Sequence, residues 1–314
     1  MTAATPLVSV VTPVYNSVDS IEECVRSVLA QTYANFEYIV VDNCSTDGTP
    51  EVVAAFAEQD SRIRLLRPEA FVGPDPNANR ALGAIALGSA YTKVVHGDDW
   101  LFPECLERMV DIAVRHPSVG VVGAYRLEGT RVTLDGLPKD VELVPGREAC
   151  RNHLLGGRWG YLFGSPSSVM YRSDLVRARP EFYPLDNPFQ SDQEACLLLL
   201  LESDLGFVHQ VLTFTRRHEG ADSSFYVRVG AEAPGQLKLL VEYGPGLLEA
   251  SEYRRRLAAR VLLYVLNLAK HPRRLADPEI RAYHATVRRE MAGSVAPLDL
   301  VRGVVDAVRK RVLR

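Results

Sequence analysis

Leu7-Val-Ser-Val-Val11 is a short, nearly continuous apolar run that stops at the polar cluster Thr12-Pro-Val-Tyr-Asn16. Such a run predicts a strand covered on both faces. Beyond it, Val18, Ile21, Val25, Val28 and Leu29 share one face of a helix, and Ser20-Ile-Glu-Glu23 predicts a capping box near its start. Phe36 to Val41 reads as a second buried strand, ending at Asp42-Asn-Cys-Ser-Thr-Asp47. Asp47 is the expected N-cap of a helix through Val52, Val53 and Phe56, with Pro50 in its first turn. Ile63 to Leu66 predicts a third strand, Asn77 to Leu87 a helix, and Tyr91 to Val95 a fourth strand ending at His96-Gly-Asp-Asp99. A helix over about Pro103 to Arg115 and a strand at Val119 to Val122 follow.

This alternation predicts an α/β fold with a mainly parallel sheet and helices on both faces. Ligands of such sheets bind outside the carboxyl ends of the strands. The three polar clusters occupy those ends, so they are expected to converge in space. The stretch from about 124 to 190 is irregular, with strand-like fragments at Arg131 to Leu134 and Ser168 to Tyr171 that suggest antiparallel additions. Asp192 to Ser203 predicts a helix and Phe207 to Thr215 a strand. From about Ala231 the pattern is helical and charged, with breaks at Pro245, Pro272 and Pro297.

A chain of 314 residues with 47% hydrophobic residues can bury a full core, and a formal charge of −3 points away from nucleic-acid binding. Five scattered cysteines without a CxxC pair suit a reducing compartment rather than a disulfide framework or zinc knuckle. Met1 to Pro6 lacks a signal-peptide profile, and the apolar run Ala195 to Leu201 is too short to span a bilayer. The expected location is cytoplasmic.

Asp98-Asp99 follows an apolar strand, where paired carboxylates can hold a hard divalent cation and, through it, a diphosphate. An Asp pair taken alone is as well explained by a helix cap. Asp42 can accept a hydrogen bond from a pyrimidine or guanine N–H, although Asp42-Asn43 is also ordinary turn chemistry. Neither GxGxxG nor GxxxxGK[ST] follows the first strand, which excludes the usual dinucleotide and P-loop signatures.

Four ordered stretches together carry a specific resemblance: Val8-Ser-Val-Val-Thr-Pro-Val-Tyr-Asn16, Ser27-Val-Leu-Ala-Gln-Thr32, Val40-Val-Asp-Asn-Cys-Ser-Thr-Asp-Gly-Thr49 and His96-Gly-Asp-Asp-Trp-Leu101. Residues 8 to about 125 resemble a family 2 glycosyltransferase of GT-A fold, with weaker similarity to about Ser224. The resemblance implies a catalytic domain over 1–228, its nucleotide-binding part about 1–123 and its acceptor part about 124–228, followed by a helical region over 229–314. It implies that Thr12, Pro13 and Tyr15 line the nucleotide pocket, that Asp42 binds the base, and that Asn79 closes over base and ribose. Asp98 would lie near the ribose and Asp99 would ligate Mn²⁺ or Mg²⁺; His96 stands where the family often carries an earlier Asp. Asp192, in Gln190-Ser-Asp-Gln-Glu194, resembles the family's base, and a helix N-terminus would favour its ionised form. Glu194 faces another side of that helix. In Arg216-Arg-His-Glu-Gly220, Arg217 would neutralise phosphate and His218 would reach the metal or diphosphate. Gly164-Ser-Pro-Ser167 resembles the segment shaping the acceptor side, where Trp159 and Tyr161 can stack on a sugar.

The expected reaction is displacement with inversion, from a nucleotide-diphosphate sugar (a UDP-sugar favoured) to an acceptor hydroxyl, in cell-surface glycan or polysaccharide biosynthesis. The acceptor is expected to be a glycan or lipid-linked. Leu298, Val301, Val305, Val308 and Val312, with nearby arginines, suit peripheral contact with the inner membrane face or, rather better, docking within the chain or in a homodimer. A nucleotidyltransferase would carry a glycine-rich basic loop after its first strand. A non-catalytic nucleotide-sugar binding module would lack a base such as Asp192.

Overall fold

The computed structural model describes residues 5–187, 190–216, 223–270 and 276–291. The chain divides into two compact units, Met1–His218 and Glu219–Arg314.

In the first unit, strands and helices alternate: β1 (Val8–Val14), α1 (Ile21–Leu29), β2 (Phe36–Asp42), α2 (Thr49–Ala57), β3 (Ile63–Leu66), α3 (Pro74–Gly83), β4 (Tyr91–Val94), β5 (Trp100–Leu101) and α4 (Cys105–Arg115). There follow β6 (Val119–Glu128), β7 (Arg131–Thr133), β8 (Leu143–Val144), α5 (Gly146–Leu155), a 3₁₀ turn (Pro166–Ser168), β9 (Val169–Arg172), α6 (Ser173–Arg177), α7 (Ser191–Leu200) and β10 (Asp204–Thr215). The sheet runs β3-β2-β1-β4-β9-β6-β10-β5, with β7 on β6 and β8 on β10. β1 to β4 pair in parallel, as do β6 and β10. β9 lies antiparallel between those two blocks.

Burial alternates along β1. Val8, Val10 and Val14 join a cluster with Val25 and Val28 of α1, Val53 of α2, and Leu106 and Met109 of α4. Val11, Ile39 and Val41 are buried outside that cluster, on the face where α3 lies against β1 and β2. Helices thus cover both faces, which is why these strands are apolar throughout. Two local expectations fail. Ser20 forms no capping box: its hydroxyl donates to Gly97 O at 3.0 Å, tying α1 to the loop after β4. Gly48, with φ of +92°, caps α2, while Asp47 accepts from the Thr49 N–H at 3.0 Å and from the Val18 N–H at 2.9 Å.

The second unit contains α8 (Ser223–Val229), α9 (Glu232–Leu247), α10 (Ala250–Lys270) and α11 (Pro278–Met291). α9 and α10 pack together, and Tyr264 Oη shares a hydrogen bond of 2.9 Å with His284 Nδ1. Pro245 does not break α9 outright; it sits in the last turn, and the helix ends at Leu247. Pro272, Pro297 and the apolar face from Leu298 to Val312 lie outside the described residues. No helix among the described residues is long and apolar enough to cross a membrane.

Candidate active site

The carboxyl edge of the sheet is built first by β1 and β2, whose register pairs Val14 with Asp42. Asp42 is 1% exposed; its Oδ2 accepts from the Ser45 N–H at 3.3 Å and lies 3.8 Å from Arg67 Nε. Its Oδ1 is buried with no hydrogen-bond partner. Leaving a buried acceptor unmatched costs free energy, so it marks a place where a donor belongs. Asn43 grips Val72 from both sides, donating to its carbonyl at 2.7 Å and accepting from its N–H at 3.0 Å. That clamp holds the loop after β3 beside Asp42. Phe71 of this loop packs on Tyr15, with ring centroids 4.8 Å apart, although both rings are largely exposed. Two exposed aromatics beside a buried acceptor suit a planar heterocycle. Arg67 and Phe71 escaped the motif reading, although a loop at a strand's carboxyl end is where the sheet rule points. Pro13 is half-buried in the same region. Thr12 is not part of the pocket: it has no exposure, and its hydroxyl bonds Tyr38 Oη at 3.0 Å on the α1 side of the sheet.

Beside β1, β4 delivers His96 to Asp99. Neighbouring strands are about 5 Å apart, so Asp42 and this loop are separated by roughly 10 Å across the sheet. Gly97 is pressed against β1, where a Cβ would stand 2.9 Å from Val14 Cγ2. Asp99 is 2% exposed, and its Oδ1 accepts from the Arg216 N–H at 3.0 Å. Burial raises its carboxyl above the ordinary range, and the charge of Asp98 adds to the rise; His96, the Ser167 hydroxyl and the Arg216 N–H oppose it. Asp98 is half-buried at the rim. Arg216 Nε also donates to Asp98 O at 3.2 Å, and its guanidinium lies 5.4 Å over Trp100, which stacks on Phe214. This clamp exists because β5 pairs Trp100 with Phe214. Arg217 and His218, proposed for phosphate and metal, lie outside the described residues.

Lys93 on β4 supports the edge from below. It has no exposure, and its Nζ donates to Ser167 O at 2.5 Å and Val169 O at 2.9 Å. Ser167 Oγ in turn accepts from the His96 N–H at 3.1 Å. Burial lowers the ammonium to about 8, against the pull of Cys105 and Asp99. The unfolded chain then binds more protons than the folded one between pH 8 and roughly 10.5, so stability is expected to rise with pH across that window. The gain is at most ~3 kcal/mol and should vanish in Lys93→Met, read as the difference between the two proteins' urea midpoints from pH 7 to 10.

α7 enters beside α3, where Ser191 Oγ donates to Asp75 Oδ1 at 3.0 Å. Asp192 Oδ1 accepts from the Gln193 N–H at 2.7 Å. Contrary to the helix-terminus expectation, burial dominates and raises this carboxyl to about 6, with Asp75 adding to the rise and Gln193, His96 and Arg126 opposing it. Asp192 therefore feels both the β4 edge and β6. Gln193 lines a cleft of about 490 Å³ that also includes Arg126, Arg158, Trp159, Tyr161, Gly164 and Ser165, but none of Asp42, Asp99 and Asp192. Glu194 is buried in the helix interior face. The amide of Asn79 is engaged by the Tyr183 backbone, accepting from its N–H at 2.8 Å and donating to its carbonyl at 2.9 Å.

The Asp98–Asp99 pair fits a hard divalent cation. The charge of Asp98 adds to the cost of ionising Asp99, which a cation would relieve. Among the described residues no three His, Cys, Asp or Glu side chains gather into a complete cage, so diphosphate and water oxygens would complete the shell.

Known proteins are similar to this chain in sequence and fold. The family model described as glycosyl transferase family 2 matches residues 9–178. Protein MT1568 of Mycobacterium tuberculosis (strain CDC 1551 / Oshkosh) is 33% identical over 231 residues, 69% of each chain. The succinoglycan biosynthesis protein ExoO of Rhizobium meliloti (strain 1021) is 40% identical over 34% of this chain, which spans only 30% of that relative. The crystal structure of S. aureus TarS 1-349 in complex with UDP-GlcNAc superimposes with a TM-score of 0.60 at 20% identity, covering 97% of this chain and 81% of that one. The sheet is that of the GT-A fold, and the chain belongs to glycosyl transferase family 2.

Proposed function

We propose that this chain transfers a sugar, with inversion, from a UDP-sugar to an acceptor hydroxyl during cell-surface glycan or polysaccharide assembly. One observation carries the reading: the sheet edge holds an unmatched buried acceptor beside two aromatics and a carboxylate pair, and His96 of that edge acts on Asp192, a carboxylate whose burial makes it a stronger base. The ExoO and TarS likenesses support the polysaccharide setting and the uridine nucleotide respectively.

In this mechanism Tyr15 and Phe71 receive the base, and Asp42 Oδ1 accepts its ring N–H. Asp192 takes the proton of the acceptor hydroxyl as its oxygen attacks the anomeric carbon. The bond to the diphosphate breaks on the opposite face, which inverts the centre. Mn²⁺ or Mg²⁺ at the carboxylate pair supplies positive charge to the leaving diphosphate when bound. Asp98, at the rim, and the enclosed Asp99, which also accepts from the Arg216 N–H, would hold that cation. A glycan or lipid-linked acceptor, and work on the cytoplasmic side of the membrane, complete it.

Calorimetry with UDP, GDP and ADP, with and without Mn²⁺, tests the donor site; failure of every nucleotide to bind would overturn the reading. Asp98→Asn is expected to reduce the Mn²⁺-dependent gain in UDP affinity about tenfold, ~1.4 kcal/mol. An undiminished gain would move the metal away from Asp98.

A further inference from the structure

We propose that the cleft beside Asp192 selects an anionic acceptor, one carrying a phosphate or carboxylate for Arg131 and Arg158 to bind while its sugar ring lies against Tyr161. This substrate class rests on the transferase reading and narrows it.

At about 490 Å³ the cleft has room for one or two sugar units. Asp192 itself is not on the lining, but Arg126 is, and its charge acts on Asp192, so the Arg126 and Gln193 wall is the end of the cleft nearest the base. Three guanidinium groups line the cleft, against the single carboxylate of Asp135. They are not equally committed. Arg126 donates to Thr133 Oγ1 at 3.2 Å and pairs with Glu128 at 3.5 Å, and its charge acts on Asp192, so it belongs to the wall near the base. Arg158 has a side chain 74% exposed, packs 4.5 Å over the Trp159 ring and reaches Glu148 only at 3.5 Å. Arg131 is exposed on β7 and has no ion-pair partner among the described residues.

Stacking on Trp159 orients the Arg158 fork, and a planar guanidinium binds carboxylate or phosphate oxygens in pairs. Two such groups at the mouth of one cleft repel each other until an anion enters. Tyr161, 39% exposed on the same lining, gives the sugar an aromatic face. A neutral acceptor would leave Arg131 without an ion-pair partner and Arg158 with only Glu148 at 3.5 Å. Specificity would then come from charge at the mouth and from the hydroxyl's position at the base.

With UDP and Mn²⁺ saturating the donor site, titration calorimetry of methyl glucoside, glucuronate, glucose 6-phosphate and inorganic phosphate tests this. The anionic sugars are expected to bind about tenfold more tightly than methyl glucoside at low salt, and 0.5 M NaCl should erase most of that difference. Preference for glucuronate or for glucose 6-phosphate identifies the anion. Arg131→Gln/Arg158→Gln should remove the preference while leaving UDP affinity and Tm unchanged, since both side chains are exposed. Equal binding of neutral and anionic sugars, including no binding by any, would overturn the proposal, as would a preference that survives the double substitution. Lack of UDP binding would instead defeat the donor reading, and the sugar comparison between wild type and double variant would still report on the cleft.

Discussion

Asp192→Asn is expected to lower kcat by about 10²–10⁴-fold while leaving the Kd for UDP unchanged. The substitution keeps shape and removes the only feature a base requires, a lone pair that gains a proton. Burial raises this carboxyl to about 6. It is thus still ionised at pH 7, yet binds a proton more readily than an ordinary carboxylate, and both properties favour general-base work. The sign of the pH dependence follows: the charge is lost as pH falls through about 6, so wild-type kcat/KM should drop on that limb and level off above it. The residual activity of Asp192→Asn should show no such limb. Stability should move the other way. A folded-state value above the unfolded one near 3.9 means that ionisation is penalised in the native protein, so the neutral amide should raise Tm at pH 7 or leave it unchanged. A purely structural helix-capping Asp would instead lose stability on substitution. A near-normal rate, or an acid limb that persists in the variant, removes Asp192 from the chemistry.

The first four strands were readable because each is an apolar run stopped by polar residues, and because parallel neighbours cover both faces. That same covering hid the side-chain directions. In a strand buried on both sides, apolar alternation does not say which face a lone polar residue takes, and Thr12 bonds Tyr38 in the core rather than lying at the sheet edge. Adjacent carboxylates pose the same problem at Asp98 and Asp99, which the turn after β4 separates into rim and interior. β5 and β9 have two and four residues, too few for periodicity, and their partners are distant in sequence. β9 consequently looked like an addition yet runs through the middle of the sheet. Asn79 illustrates a limit of motif transfer: its amide meets the backbone of Tyr183, a partner 104 residues away that no local pattern announces. The contact of Arg216 with Asp99 is equally silent in the sequence, since it depends on the β5–β10 pairing.

Asp42→Asn is expected to weaken UDP binding about 10- to 100-fold, the ~1.5–3 kcal/mol of a hydrogen bond to a charged group. Uracil presents a ring N–H where cytosine presents a bare nitrogen. A carboxylate oxygen accepts from the first and repels the second, so wild type should prefer UDP to CDP. Asn can turn its NH₂ toward the vacant direction of Oδ1, which reverses that preference or at least abolishes it. The other oxygen, holding the Ser45 N–H at 3.3 Å, is retained as the amide carbonyl, so the turn survives. This separates Asp42→Asn from Asp42→Ala, which would release Ser45 and leave Arg67 without its partner at 3.8 Å. Both variants should lose UDP affinity, but only the Ala variant should also loosen the turn, seen as faster amide exchange at Ser45. If Asp42 serves the turn alone, Asp42→Asn will bind UDP and CDP as wild type does. The buried Oδ1 would then need another donor to account for its position, because an acceptor enclosed at a sheet edge and facing no N–H costs stability with nothing to offset it.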